Sequence, residues 1–152
     1  MERLGQGYLW FGVPIALLIL SHDTRLRRDA ATWLLAMVTD LVTVAAIKAV
    51  VRRPRPPYNL PDMLVISVDQ FSFPSGHSSR GALITCLCLT CAMQTGVSTL
   101  AALPVAVWAC TTAVSRVAMG RHYVADVVVG CLLGLLEFQA LRRLATAPLC
   151  AS

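Results

Sequence analysis

The chain has 152 residues, 57% of them hydrophobic and only 14% charged, with a mean hydropathy of +0.67. A soluble domain carries about 25% charged residues, so the deficit excludes an ordinary water-soluble globule and points to the bilayer as solvent. The net charge of +5 suits nucleic acid, an anionic membrane surface or a phosphorylated substrate. No basic tract interleaved with aromatic residues is present, which removes nucleic acid as a partner.

Five apolar stretches follow one another along the chain, all predicted as helices because open strands cannot span lipid. The first, 8–20, is short for a span and carries Pro14 near its start; it tilts, or begins as early as Leu4. It lacks a cleavage site of small residues and is expected to stay as a membrane segment. The second, 30–51, stands behind a predicted N-cap at Asp29 and is long enough, at about 33 Å, to cross a hydrocarbon core of about 30 Å. The third covers 76–94, the fourth 100–118 with Pro104 near its start, and the fifth 123–141. The length fits one membrane-embedded domain over 1–152.

The linkers differ in character. Residues 21–29 carry Arg25, Arg27 and Arg28; residues 52–73 are stiffened by Pro54, Pro56, Pro57 and Pro61; residues 95–99 form a short uncharged turn. Each crossing moves the chain to the opposite face, so linkers 52–73 and 115–122 share one side, and 21–29, 95–99 and the C-terminus share the other. The positive-inside rule places Arg25, Arg27, Arg28, Arg142 and Arg143 in the cytoplasm and the opposite face in the lumen or exterior. Of six cysteines, five lie in apolar stretches and read as buried thiols. Cys86, Cys88 and Cys91 lack the fourth ligand that a metal site needs.

Three short motifs carry chemistry, and parity puts them on one face. The first holds Lys48, in the last turn of the second helix, and Arg55-Pro56 just outside it: either a phosphate-binding pair or a basic flank that snorkels to headgroups. The second is Pro74-Ser75-Gly76-His77, directly before an apolar helix. A Ser N-cap followed by Gly exposes first-turn N–H groups to an anion, and His77 there can give a proton to a leaving oxygen. Its plain alternative is a capped helix start with an interfacial His. The third is Ser115-Arg116, then His122 and Asp126. Four residues apart on a helix, His122 and Asp126 share a face; the carboxylate can hold one imidazole nitrogen while the other attacks phosphorus, and Arg116 offers a fork matched to phosphate oxygens. Its alternative is a surface His–Asp pair.

In this order and at this depth, the motifs resemble the signature of the type 2 phosphatidic acid phosphatase superfamily, integral-membrane lipid phosphatases related to acid phosphatases and vanadium haloperoxidases. The resemblance implies an all-α membrane bundle and hydrolysis of a lipid phosphate without metal or other cofactor. It implies that His122 attacks the terminal phosphorus to form a phosphohistidine, that Asp126 orients His122, and that His77 protonates the leaving oxygen and then activates water. Lys48, Arg55 and Arg116 would hold the phosphate oxygens, assisted by Ser75 and the Gly76 N–H. The partners implied are a lipid phosphate or diphosphate and the surrounding membrane lipids. Within the superfamily, the stretch SVDQFSFPSGHSSR at 67–80 looks most like the polyisoprenoid diphosphate phosphatases of animals, which implies a polyisoprenyl or presqualene diphosphate substrate, with phosphatidate as the alternative, in the endoplasmic reticulum or nuclear envelope. One departure is the helix count: the family usually has six membrane helices and five are read here.

A lipid phosphotransferase, or a non-catalytic scaffold of the same fold, are the rival readings; free phosphate against a new lipid product separates the first. Arg80 either pairs with an acid or extends the phosphate site, and Arg121 does the same or faces headgroups. Asp40 and Glu137, inside apolar helices, are expected as a structural pair or protonated carboxyl rather than as catalytic groups. His22 is a loop residue without a partner pattern. The apolar run 63–68 is a candidate guide for a lipid tail, and Trp10, Trp33 and Trp108 suit interfacial or packing positions.

Overall fold

The computed structural model describes residues 8–57 and 70–146. The apolar run 63–68, the early start at Leu4 and Cys150 lie outside them. Among the described residues the regular elements are helices, beside one isolated bridge between Pro54 and Phe71. In chain order these are α1 (Tyr8–Leu20), α2 (Thr24–Val51), α3 (Gly76–Thr95), a 3-10 turn (Thr99–Ala102) leading into α4 (Leu103–Ala118), and α5 (Val124–Thr146). This is the all-α architecture that the hydropathy pattern predicts.

The start of α2 differs from expectation. Asp29 is not its N-cap: Asp23 is, its carboxylate accepting the Arg25 N–H at 2.7 Å while its own N–H donates to the Ser21 hydroxyl. With 28 residues, roughly 42 Å at 1.5 Å per residue, α2 exceeds the hydrocarbon core. Its first turns, with Arg25, Arg27 and Arg28, therefore belong to the headgroup layer rather than to a loop. At the other end Arg52 adopts a left-handed conformation (φ 50), its N–H returning to the Lys48 carbonyl and its Nε to that of Ala49. Pro54, Pro56 and Pro57 follow, as is common beyond such a cap. Gly96 (φ 71) ends α3 in the same left-handed region, where glycine carries no steric cost.

Among the described residues three stretches are long and apolar enough to cross a membrane, Thr24–Val51, Thr99–Ala118 and Val124–Arg143. The 13 residues of α1 are shorter, as anticipated. α3 is not among the three because it opens on His77, Ser78, Ser79 and Arg80. It can afford this polarity through its position: it packs against α2, α4 and α5 and buries Ser78, Ser79, Gly81, Leu83 and Ile84 against protein rather than lipid.

Small residues permit that central position. Gly130 and Gly134, one turn apart on α5, lie against Ser75, just before α3, and Ser79 within it; a Cβ on Gly130 would stand 2.5 Å from the Ser75 carbonyl oxygen. Such small-xxx-small faces let helix backbones approach closely. Gly81 packs in the same way on Ala109 of α4. The apolar core beyond is Ala36, Met37, Leu83 and Ile84, and Trp10 stacks on Trp33 and tilts against Trp108 beside it. The tryptophans are thus packing residues that tie α1 to α2 and α4. Arg80 pairs with Asp40, Nη2 to Oδ2 at 3.1 Å, the acid partner that was one of its two expected roles. Glu137, on α5, is buried as well.

Candidate active site

All three motifs meet at one end of the bundle. α2 and α4 deliver Lys48 and Arg116 in their last turns, α3 presents His77 in its first, and α5 carries Asp126 in its first. Main-chain bonds lock the pieces: the Ser72 N–H donates to the Arg53 carbonyl (2.8 Å) and the Ser75 N–H to that of Asp126 (3.0 Å). The ends of linker 52–73 are thereby clipped together beside His122. The cavity lined by Thr24, Arg25, Arg28, Asp29 and Gln94 lies at the opposite ends of α2 and α3 and takes no part in this site.

His122 is buried, two residues before α5 begins. Its Nδ1 lies 2.6 Å from the carbonyl oxygen of Ser72. A carbonyl can only accept, so Nδ1 carries the hydrogen and Nε2 keeps its lone pair. Asp126 does not supply this contact. The expected direct hydrogen bond from the imidazole N–H of His122 to the carboxylate is replaced by a separation of 3.9 Å, because the i, i+4 relation holds only inside a helix and α5 starts after His122. The carboxylate is engaged elsewhere: Oδ1 accepts from Arg53 Nη1 at 2.7 Å and Oδ2 from the Tyr123 N–H at 2.9 Å. Its negative charge still acts on the imidazole through space.

The cations gather around the two histidines. The charges of Lys48 and Arg55 act on His122, and those of Arg116, Arg80 and Lys48 on His77, which also senses His122. Lys48 and Arg116 are buried, as is His122, so the two cations work in a medium that screens them less than water does. Burial of the ring holds the His122 pKa down at about 4; Lys48 and Arg55 push the same way, against the Ser72 carbonyl and Asp126. The imidazole is therefore neutral across the physiological range.

One predicted contributor sits differently from expectation. Ser75 occupies the N-cap position of α3 but makes no side-chain cap bond; its hydroxyl is 2.9 Å from that of Ser78 and the residue is fully buried. Gly76 opens α3 against Val44, whose Cγ1 would lie 3.1 Å from a Cβ there, so glycine allows the helix start to approach α2. Arg53 and Ser72 were not singled out by sequence reasoning. Ser72 stands within the quoted stretch 67–80 and Arg53 between Lys48 and Arg55 of the first motif, yet only the left-handed turn at Arg52 shows which arginine of the Arg-Arg-Pro-Arg run at 52–55 faces Asp126. Among the described residues no group of three or more His, Cys, Asp or Glu side chains could hold a metal ion, and the five described cysteines are free thiols.

A bundle with its histidines, cations and helix N-terminus arranged in this way defines a membrane phosphatase scaffold, and the chain belongs to the PAP2 superfamily, whose model matches residues 29–147. It is 35% identical to a probable lipid phosphate phosphatase beta of Arabidopsis thaliana, over 84% of this chain and 70% of that one. It is 36% identical to the decaprenylphosphoryl-5-phosphoribose phosphatase of Mycobacterium tuberculosis, over 78% of this chain and 64% of that one. In fold it is similar to the crystal structure of a transmembrane PAP2 type phosphatidylglycerolphosphate phosphatase from Bacillus subtilis (TM-score 0.71, 23% identity, 99% of this chain and 75% of that one). It is also similar to LpxE of Aquifex aeolicus (TM-score 0.68, 25% identity, 93% and 80%).

Proposed function

We propose that this chain, acting as one catalytic domain, removes the terminal phosphate of a lipid phosphate or diphosphate through a phosphohistidine at His122. The observation that carries this reading is the fixed tautomer of His122: Nδ1–H is held by the Ser72 carbonyl, which leaves the Nε2 lone pair among cations where a phosphate would sit. In the first step Nε2 bonds to phosphorus, the phosphorus–oxygen bond to the lipid breaks, and His77 gives its proton to the leaving oxygen. In the second, His77 takes a proton from water, whose oxygen displaces Nε2 and releases phosphate. Lys48, Arg55 and Arg116 balance the charge on the transferring group, and the start of α3 at Gly76 adds its dipole, with Ser75 shaping that start.

A polyisoprenyl or presqualene diphosphate is the favoured substrate and phosphatidate the alternative. Support comes from residues 67–80 and from the polyprenyl lipid in the name of the mycobacterial relative. The endoplasmic reticulum or nuclear envelope is the compartment that goes with this reading. The active face is lumenal or exterior, because Arg25 and Arg28 stand at the other end of α2.

Purified protein in detergent with excess EDTA is expected to release phosphate from farnesyl or presqualene diphosphate faster than from phosphatidate. A new phosphorylated lipid without free phosphate would identify a transferase instead, and no turnover of any of these lipids by folded protein a scaffold. The pH profile is a second expected result. The nucleophile must be neutral, and its pKa is lowered to about 4, so the His122 limb of kcat/KM is flat above that value and falls about tenfold per unit below it. A limb near 6.5 would mean that the ring is far less shielded than its burial indicates.

A further inference from the structure

Ser72 stands two residues before the Pro74-Ser75-Gly76-His77 motif, next to the bridge that pairs Pro54 with Phe71. A proline has no N–H to offer such a pairing, so Pro54 takes part only through its carbonyl. Ser72 supplies the donors. Its N–H donates to the Arg53 carbonyl at 2.8 Å. Its hydroxyl donates to the Pro54 carbonyl at 3.0 Å, with the Arg53 carbonyl at 3.3 Å as a second acceptor. The residue is fully buried, so bulk water does not compete for that hydroxyl. The remaining polar group of Ser72, its carbonyl, is the one that lies 2.6 Å from His122 Nδ1.

We propose that Ser72 is a positioning residue for the phosphatase reaction: its hydroxyl pins residue 72 to the Pro54 and Arg53 carbonyls, which fixes the Ser72 carbonyl on His122 Nδ1–H and aims Nε2 at phosphorus. This inference rests on His122 being the nucleophile. The bond at Nδ1 leaves Nε2 free and makes it more basic: burial lowers the proton affinity of the ring, and the Ser72 carbonyl opposes that. The Asp126 carboxylate, 3.9 Å from the same nitrogen, works in the same sense through its charge. The effect grows along the reaction. The ring is neutral before attack. Once Nε2 has bonded to phosphorus and the lipid oxygen has left, the ring is positively charged and still holds its Nδ1 proton. A carbonyl dipole already fixed at that proton stabilises the charged ring more than the neutral one, with no reorganisation at the moment of reaction. A residue held by its N–H alone can swing about that single bond, and its carbonyl then loses part of this advantage.

Substitutions at position 72 separate the hydroxyl from the space it fills. Ser72→Cys keeps the shape but offers only a weak donor, Ser72→Ala offers none, and Ser72→Thr keeps the hydroxyl. The proposed phosphate ligands Lys48, Arg55 and Arg116 are untouched, so KM for farnesyl diphosphate should stay within about threefold. In the Cys and Ala variants kcat is expected to fall about tenfold, what one hydrogen bond is worth, and Ser72→Thr should recover most of it. The chain has three histidines, so in protein labelled with 15N-histidine the Nδ1 proton of His122 is identified by its absence from His122→Ala. In wild-type protein this proton should resonate far downfield and exchange slowly; in Ser72→Cys it should move upfield and exchange faster.

Full kcat in a folded Ser72→Cys or Ser72→Ala protein would overturn the proposal. So would a loss of kcat with the His122 proton signal unchanged, or an equal loss in a Ser72→Thr protein that melts like wild type. Thermal midpoints in detergent identify the folded variants, and if Ser72→Ala is not among them the Cys and Thr proteins decide by the same criteria. A wild-type proton on Nε2 rather than Nδ1 would remove the contact itself. Persistent turnover by His122→Ala would instead refute the nucleophile on which the inference stands, whatever Ser72 does.

Discussion

His122→Ala is expected to reduce phosphate release by a factor on the order of 10⁴ or more, the usual consequence of deleting a covalent nucleophile whose supporting groups cannot act without it. The protein should nevertheless remain folded. His122 sits in the turn before α5, and its side chain makes one described hydrogen bond, to the Ser72 carbonyl, which the Ser72 N–H and hydroxyl keep in place through Arg53 and Pro54. The variant therefore separates chemistry from scaffold, which a change at buried Lys48 or Arg116 would not do cleanly. Two readouts are needed. Phosphate release reports turnover, and brief mixing with a lipid carrying labelled terminal phosphate, followed by quenching in alkali, reports the acid-labile phosphohistidine. Wild-type protein should carry label and the variant none. Residual turnover within tenfold of wild type would mean that another group attacks phosphorus, and His77 would be the next candidate.

The chemical types at this site were legible in the sequence, and their contacts were not. The spacing of Lys48, Arg55, His77, Arg116, His122 and Asp126, with five apolar stretches, was enough to place them at one end of a bundle. Apolar runs also marked most helix ends within a few residues. The start of α2 was misplaced because Asp23 and Asp29 are both good N-caps, and three arginines between them read as a loop although they stand on the headgroup end of a long helix. The His122–Asp126 contact was misread because helical spacing was extended one turn before the helix begins. Arg53 stayed hidden for a different reason. Its direction depends on a left-handed conformation at Arg52, a residue type that seldom adopts one, and nothing in the composition of the Arg-Arg-Pro-Arg run announces it. Such local exceptions concentrate where a site is assembled, since the shape the chemistry needs overrides the local preference.

Gly134→Val is expected to have the largest effect on folding. A Cβ at Gly134 would collide with the Ser79 carbonyl oxygen and stand 3.0 Å from the Ser79 carbonyl carbon and 3.1 Å from the Leu83 nitrogen. All three are backbone atoms of α3, so no side-chain rotation relieves the clash and the helices must part. Overpacking of a core costs about 1–3 kcal/mol, and more where the obstacle is backbone. The apolar contacts between α3 and α5 would loosen, and so would the Ser75 N–H to Asp126 carbonyl bond that sets His77 opposite His122. The expected result is a low yield of monodisperse protein in detergent, a melting midpoint many degrees lower, and loss of activity in whatever folds. Gly12→Ala is the matched control. It lies on the exposed face of α1 with nothing within 4 Å of a Cβ, and there alanine should be neutral or stabilising by up to about 1 kcal/mol. If Gly134→Val kept a wild-type midpoint but lost activity, the close approach of α3 and α5 would serve site geometry rather than bundle stability. If it kept both, the two helices would have to lie farther apart than Gly130 and Gly134 permit, and the active site would need a different clamp.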